Sequence, residues 1–258
     1  MTSGRQFLAW KQQALSGVDF SRKGSIDDPI KDLVQFINEQ ADYFTTSSCS
    51  GRCILLEEDE LGTVQKKGCK WLYTTHEYCA ARNIEEVLPQ SLANATFKYE
   101  PFVMHVQCRT IENAQLLHAA GVASGFRNSG ITIGKKGKII TAIRSTHGLE
   151  VPMTASGRVL ISSEYIAHIT KLANSRMEEN LKRIQRFYDN IKTSIADNNS
   201  STQQNVNKKK PKQNREKHNR TCNPATTELA DAAISVTDNQ NDNSVDEDMI
   251  LDIMFEAG

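Results

Sequence analysis

"FTTSSCSGRCILLEE", residues Phe44 to Glu58, joins a run of hydroxyl side chains to an apolar run through Ser50, Gly51 and Arg52. The alternation typical of a half-buried strand is clear only from Arg52 onward. The stretch therefore predicts a hydroxyl-rich loop over residues 44–51 and a strand over Arg52–Glu57. Hydroxyls, glycine-permitted backbone amides and a neighbouring guanidinium make a concave donor surface suited to an anion.

Outward from this stretch, the chain alternates helices with hairpins. Before it, residues 5–15 carry apolar side chains at helical spacing. "IDDPIKDLVQFINEQADYF" predicts a second helix, capped by Asp28 with Pro29 in its first turn. After it, a strand is expected over Lys70–His76, a short helix near Ile84–Leu92 and a long strand over Phe97–Arg109. Thr110 caps a helix predicted over Ile111–Ser124, closed by Gly125. Strands are expected near Ile131–Ile133, Lys138–Thr146 and Leu149–Met153. A long amphipathic helix follows from Ser162 or Ser163 to about Ile195.

Short words recur in order. "SG" (Ser50–Gly51), "KKGCK" (Lys66–Lys70) and "TH" (Thr75–His76) are echoed by "SG" (Ser129–Gly130), "KKGK" (Lys135–Lys138) and "TH" (Thr146–His147). The echo predicts an α+β fold in which duplicated helix–hairpin units bring two Ser-Gly loops to one cleft. No G-x-G-x-x-G is present, so a doubly wound nucleotide-binding sheet is not expected.

Composition sets the boundaries. The chain has 258 residues and no net formal charge. Residues 197–258 hold 7 Lys/Arg and 11 Asp/Glu, net −4, which leaves +4 for residues 1–196. The polar composition predicts one folded domain over 1–196 and a disordered tail over 197–258, basic at 208–220 and acidic at 238–252. The mildly basic domain admits a polyanionic partner. Neither a secretory signal nor a membrane span is expected, and the six scattered cysteines suggest reduced thiols in the cytoplasm. Residues 208–220 also suit a partly nuclear address. Cys49-x3-Cys53 has no second Cys/His pair near it, so no metal is expected.

Three further groups of residues bear chemistry. The second loop, "GFRNSGI", offers Arg127, Ser129 and Gly130, with Phe126 as a stacking surface for a base. His105, Gln107 and Arg109 share a strand face, either exposed to solvent or lining a cleft. In "AIRSTHGLEVPM", Arg144 and Glu150 either form an ion pair or meet a substrate. The basic face of the last helix is either solvated or set against nucleic acid.

"FTTSSCSGR", "YEPFVMHVQCR", "SGFRNSGITIGKKGK" and "IRSTHGLEVP" resemble the tRNA wybutosine-synthesising protein 3 family over about residues 5–192. The resemblance implies a duplicated α+β fold around a curved, barrel-like mixed sheet. It also implies an S-adenosyl-L-methionine-dependent methyltransferase. Its substrate would be N4 of the tricyclic wyosine-type base beside the anticodon of phenylalanine tRNA. The matching motifs imply a pocket of Ser47, Ser48, Cys49, Gly51, Arg52, Arg127, Ser129, Gly130, Arg144, Ser145 and Glu150, with His105 taking the proton. The competing expectation is a tRNA-binding accessory protein of the same pathway with no chemistry of its own.

Overall fold

The computed structural model describes residues 4–16, 25–58, 70–134 and 137–207. Helix α1 (Gly4–Ser16) leads to a 3-10 turn (Asp28–Ile30) and α2 (Lys31–Glu39). Strands β1 (Tyr43–Glu58) and β2 (Lys70–Thr75) form a hairpin. Helix α3 (Ala81–Val87) continues into a 3-10 turn that contains Pro89, and β3 (Asn94–Cys108) follows. Then come α4 (Ile111–Ala123), β4 (Gly130–Ile133), β5 (Ile139–Arg144), β6 (Leu149–Pro152), a ribbon of β7 (Thr154–Ala155) and β8 (Arg158–Val159), and α5 (Ser163–Asn207).

The main sheet runs β2-β1-β3-β5-β4, with β6 also on β3, and every pairing is antiparallel. It is an open antiparallel sheet, neither mixed nor closed into a barrel as the resemblance implied. The duplication is not confirmed by this topology. The first hairpin meets β3 through its leading strand β1, and the second meets it through its trailing strand β5. Ser50–Gly51 thus lies inside a central strand, whereas Ser129–Gly130 leads into the edge strand β4.

The hydroxyl-rich stretch is strand. Thr45, Ser47, Ser48 and Cys49 pair with Val106, His105, Met104 and Val103, so cross-strand partners override weak local propensity. A bulge between Thr45 and Ser47 absorbs one extra residue. Thr110 caps α4 as expected, its hydroxyl accepting from Asn113 N. Asp28 does not cap α2. Asp27 precedes the turn, and its carboxylate accepts from Ser50 N at 2.9 Å. Helix α5 reaches Asn207, past the boundary expected at residue 196. Residues 208–258, with the basic and acidic runs, lie outside the described residues.

One feature of α5 fixes which side chains share a face. In β3, Phe97 and Tyr99 pack with Ile166, Ile169, Ala173 and Met177 of α5. Phe102, Met104, Val106 and Cys108 pack with Ile184, Phe187 and Ile191 of the same helix. The first set occupies odd positions and the second even ones. One continuous helix cannot cover both faces of a sheet, so the alternation reverses between Tyr99 and Phe102. At that point Asn180 enters the ladder: its carboxamide accepts from Phe102 N at 2.9 Å and donates to Ser50 O at 2.8 Å. Opposite, Gly51 adopts φ +108°, which L side chains rarely adopt.

Candidate functional site

The reversal at Gly51 gives the face turned away from α5 its composition. Above it, directly paired residues form two rows across the sheet. One is Ser47, His105, Ala142 and Gly130; the next is Cys49, Val103 and Arg144. Below it, Arg52 opposite Glu100 joins the same face. Consistent with this, the Cys49 thiol senses Arg52, Glu100 and Asp27, and burial pushes it up to about 11. It is therefore a neutral thiol near pH 7.

A relay ties the rows together. Arg144 Nη2 lies 2.9 Å from His105 Nε2, and Ser47 Oγ lies 2.9 Å from His105 Nδ1. A guanidinium only donates, so Nε2 accepts, and the neutral ring carries its proton on Nδ1 and donates it to Ser47. Burial, then the Arg144 charge, lowers His105 to about 4. His105 is only 4% exposed, and both ring nitrogens are occupied. This geometry does not suit the proton-accepting role expected of it: its lone pair already belongs to Arg144. With His105 donating to it, Ser47 keeps its own hydroxyl hydrogen for donation elsewhere.

The other sequence candidates divide. Arg52, 7% exposed, donates from Nε to Glu100 at 2.7 Å and lies 4.9 Å from the Trp71 ring. Ser129 Oγ accepts from Arg144 N and donates to Phe126 O, so the second Ser-Gly turn holds the relay's backbone without reaching into it. Space above Gly130 is open, with nothing within 4 Å of an added Cβ. Ser48 faces the α5 side opposite Met104, and Arg127 is exposed. Ser145 lies just past the end of β5, and its hydroxyl accepts from His147 N. Glu150 pairs with Lys98 at 3.1 Å, not with Arg144. Strand register and side-chain contacts thus gather Ser47, Cys49, Arg52, His105, Gly130 and Arg144 on one face.

Phe126 is no base platform: it is fully buried against Phe102 and Phe187. On the basic face of α5, Lys182 pairs with Glu178, and Arg183 and Arg186 share Glu179, which favours the solvated alternative. Arg176 donates to Gly148 O. On the polar face of β3, Gln107 is 3% exposed and its Nε2 has no hydrogen-bond partner, while Arg109 lies at the exposed end with Asp42. Cys53 packs in the core under α5, so it cannot share a metal with Cys49.

Sequence reasoning missed Asp27, Trp71, His76 and Glu100. Glu100 and Trp71 could be found only once Arg52 was placed in a strand with partners on both sides. Among the described residues no helix is long and apolar enough to cross a membrane.

Comparison with known proteins agrees with this architecture. A tRNA wybutosine-synthesizing protein 3 homolog of Danio rerio is 52% identical over 193 residues, 74% of this chain and 77% of the relative. The human homolog is 42% identical over 256 residues, 98% of this chain and 97% of its own. A solved protein of Pyrococcus horikoshii superposes with a TM-score of 0.67 at 30% identity, covering 73% of this chain and 97% of its own. The model of the family described as "Methyltransferase TYW3" matches residues 9–193, which span all six residues gathered on the polar face, and the chain belongs to that family.

Proposed function

We propose that this chain transfers a methyl group from S-adenosyl-L-methionine to N4 of the tricyclic wyosine-type base, 7-aminocarboxypropyl-demethylwyosine, at position 37 of phenylalanine tRNA during wybutosine biosynthesis, in the cytoplasm. The observation that carries the reading is the Ser47–His105–Arg144 relay, on the sheet face turned away from α5 within the matched family region.

The residues present fit both reactants. Gln107 Nε2 is a buried donor with no protein acceptor, and Gly130 borders open space. Buried donors of this kind are rare unless something else accepts from them. When bound, S-adenosylmethionine supplies an electrophilic methyl group on a sulfonium. Arg144 and Arg52 supply guanidinium groups for carboxylates, which both the donor and the aminocarboxypropyl chain carry. Ser47, oriented by His105, donates a hydrogen bond from a fixed position. The chain's contribution is thus alignment in a site whose polar groups are already set, and such positioning accounts for a large share of rate in two-reactant transfers. His105 holds Arg144 and Ser47 in place, and the acceptor's proton leaves to another group.

Purified full-length chain incubated with methyl-labelled S-adenosylmethionine and tRNA carrying the unmethylated tricyclic base tests this. Label in that base, located by mass spectrometry of the nucleoside, is expected. A folded chain that binds the tRNA without transferring label would leave only the accessory role.

A further inference from the structure

Asp27, Cys49 and His76 lie together at the β1 edge of the polar face, and the sequence gives no hint of it. Asp27 precedes the first 3-10 turn, Cys49 is in β1, and His76 follows β2. Their ligand atoms all fall within 4.8 Å of one another, and His76 Nε2 is 3.7 Å from Asp27 Oδ2. We infer that these three residues form a binding site for a borderline-soft divalent cation of the zinc class, with one coordination position left for a ligand.

The donor set suits that class. Thiolate, imidazole and carboxylate together bind zinc at roughly 2.0–2.3 Å, which with a single sulfur places neighbouring donors of a tetrahedral site about 3.3–3.6 Å apart. The His76–Asp27 separation of 3.7 Å is within a few tenths of an ångström of that range, and a contraction of about 1.2 Å brings even a pair at 4.8 Å into it. The support is built in: Ser50 N donates to the Asp27 carboxylate at 2.9 Å and fixes its orientation, as outer partners of metal-bound carboxylates do. Asp27 and Cys49 are buried and His76 is half-buried, so one side of the cluster remains open to a ligand. Charge balances too. On binding, Cys49 releases its thiol proton to solvent, and one thiolate and one carboxylate neutralise a divalent cation. Cys49 lies one register row from His105, so the cluster borders the ground assigned to the reactants. Cation binding itself does not depend on that assignment.

Cobalt(II) titration of the chelator-stripped full-length chain under reducing conditions tests the inference. One equivalent should bind, with the near-ultraviolet sulfur-to-cobalt band and the intense visible bands of a tetrahedral site, and zinc should bleach both. Cys49→Ser should lose the sulfur band, while Asp27→Asn and His76→Gln should each weaken binding at least about tenfold. Circular dichroism of each variant shows whether it remains folded. No saturable binding, or a sulfur band that survives in a folded Cys49→Ser chain, would overturn the site and show Asp27–His76 to be a plain polar pair. Methyl transfer by the untreated chain, assayed separately, bears on the methyltransferase reading alone.

Discussion

Arg144 and His105 meet nitrogen to nitrogen at 2.9 Å, a guanidinium donating into an imidazole that burial, and then the guanidinium's own charge, keep neutral. The pair couples strand β5 to β3 and passes the orientation on to Ser47 in β1. Arg144→Ala should release Nε2 and remove one of the two influences that depress the ring. The His105 titration, followed by NMR, should move upward. Methyl transfer should fall at least about tenfold, the worth of one hydrogen bond to a charged group.

His105 also sets a pH dependence of stability. Its folded value of about 4 lies below the ordinary 6.5, so between those values the unfolded chain binds more protons than the folded one. Stability is therefore complete above about pH 6.5 and is lost as pH falls toward 4. Urea unfolding at a series of pH values should show a steeper loss across that window in the native chain than in His105→Gln, which has nothing to titrate there. Parallel slopes would show that the ring is not held neutral.

Two glycines of the sheet should respond differently to alanine. At Gly51, φ is +108°, and an added Cβ would meet Glu100 O at 3.1 Å, Asn180 Nδ2 at 3.2 Å and Phe102 N at 3.3 Å. Gly51→Ala should destabilise the fold by about 1–3 kcal/mol, read as a lower urea midpoint. At Gly130 nothing lies within 4 Å, so Gly130→Ala should stay within about 0.5 kcal/mol of the native chain. It should nevertheless slow methyl transfer, because its methyl group enters the open ground at the outer end of the register row that holds Ala142 and His105.

Asn180 is the residue on which the face reversal turns. Asn180→Ala would strand Phe102 N and Ser50 O inside the ladder, at about 1–3 kcal/mol for each unsatisfied group. Thermal unfolding should show a clear fall in the midpoint. Asn180→Asp should not rescue it, since a carboxylate cannot donate to Ser50 O.

These relationships also mark how far the sequence could be read. Thr110 at the head of α4 and the apolar stripe of α5 carry strong local signals, and both helices begin where the pattern puts them, although α5 runs on to Asn207. The first half of β1 does not, because Thr45 to Ser50 become strand only through partners in β3. Gly51 inside a strand pattern signals a bulge or a close approach. What approaches, however, is Asn180, far along the chain. Asp27 and His76 join Cys49 only through tertiary folding. The residues of the family motifs were legible one by one; the faces they occupy were not. That is why Ser48, Ser145 and Arg127 were grouped with Ser47, Arg144 and His105.

A crystal structure of the chain with S-adenosylhomocysteine, the demethylated donor, tests the central claim most directly. The account predicts the ligand on the sheet face that carries Ser47, His105 and Arg144, with a protein donor from Gln107 or Arg144 on one of its polar groups. A ligand seated on the α5 side of the sheet, or away from the sheet altogether, would contradict it.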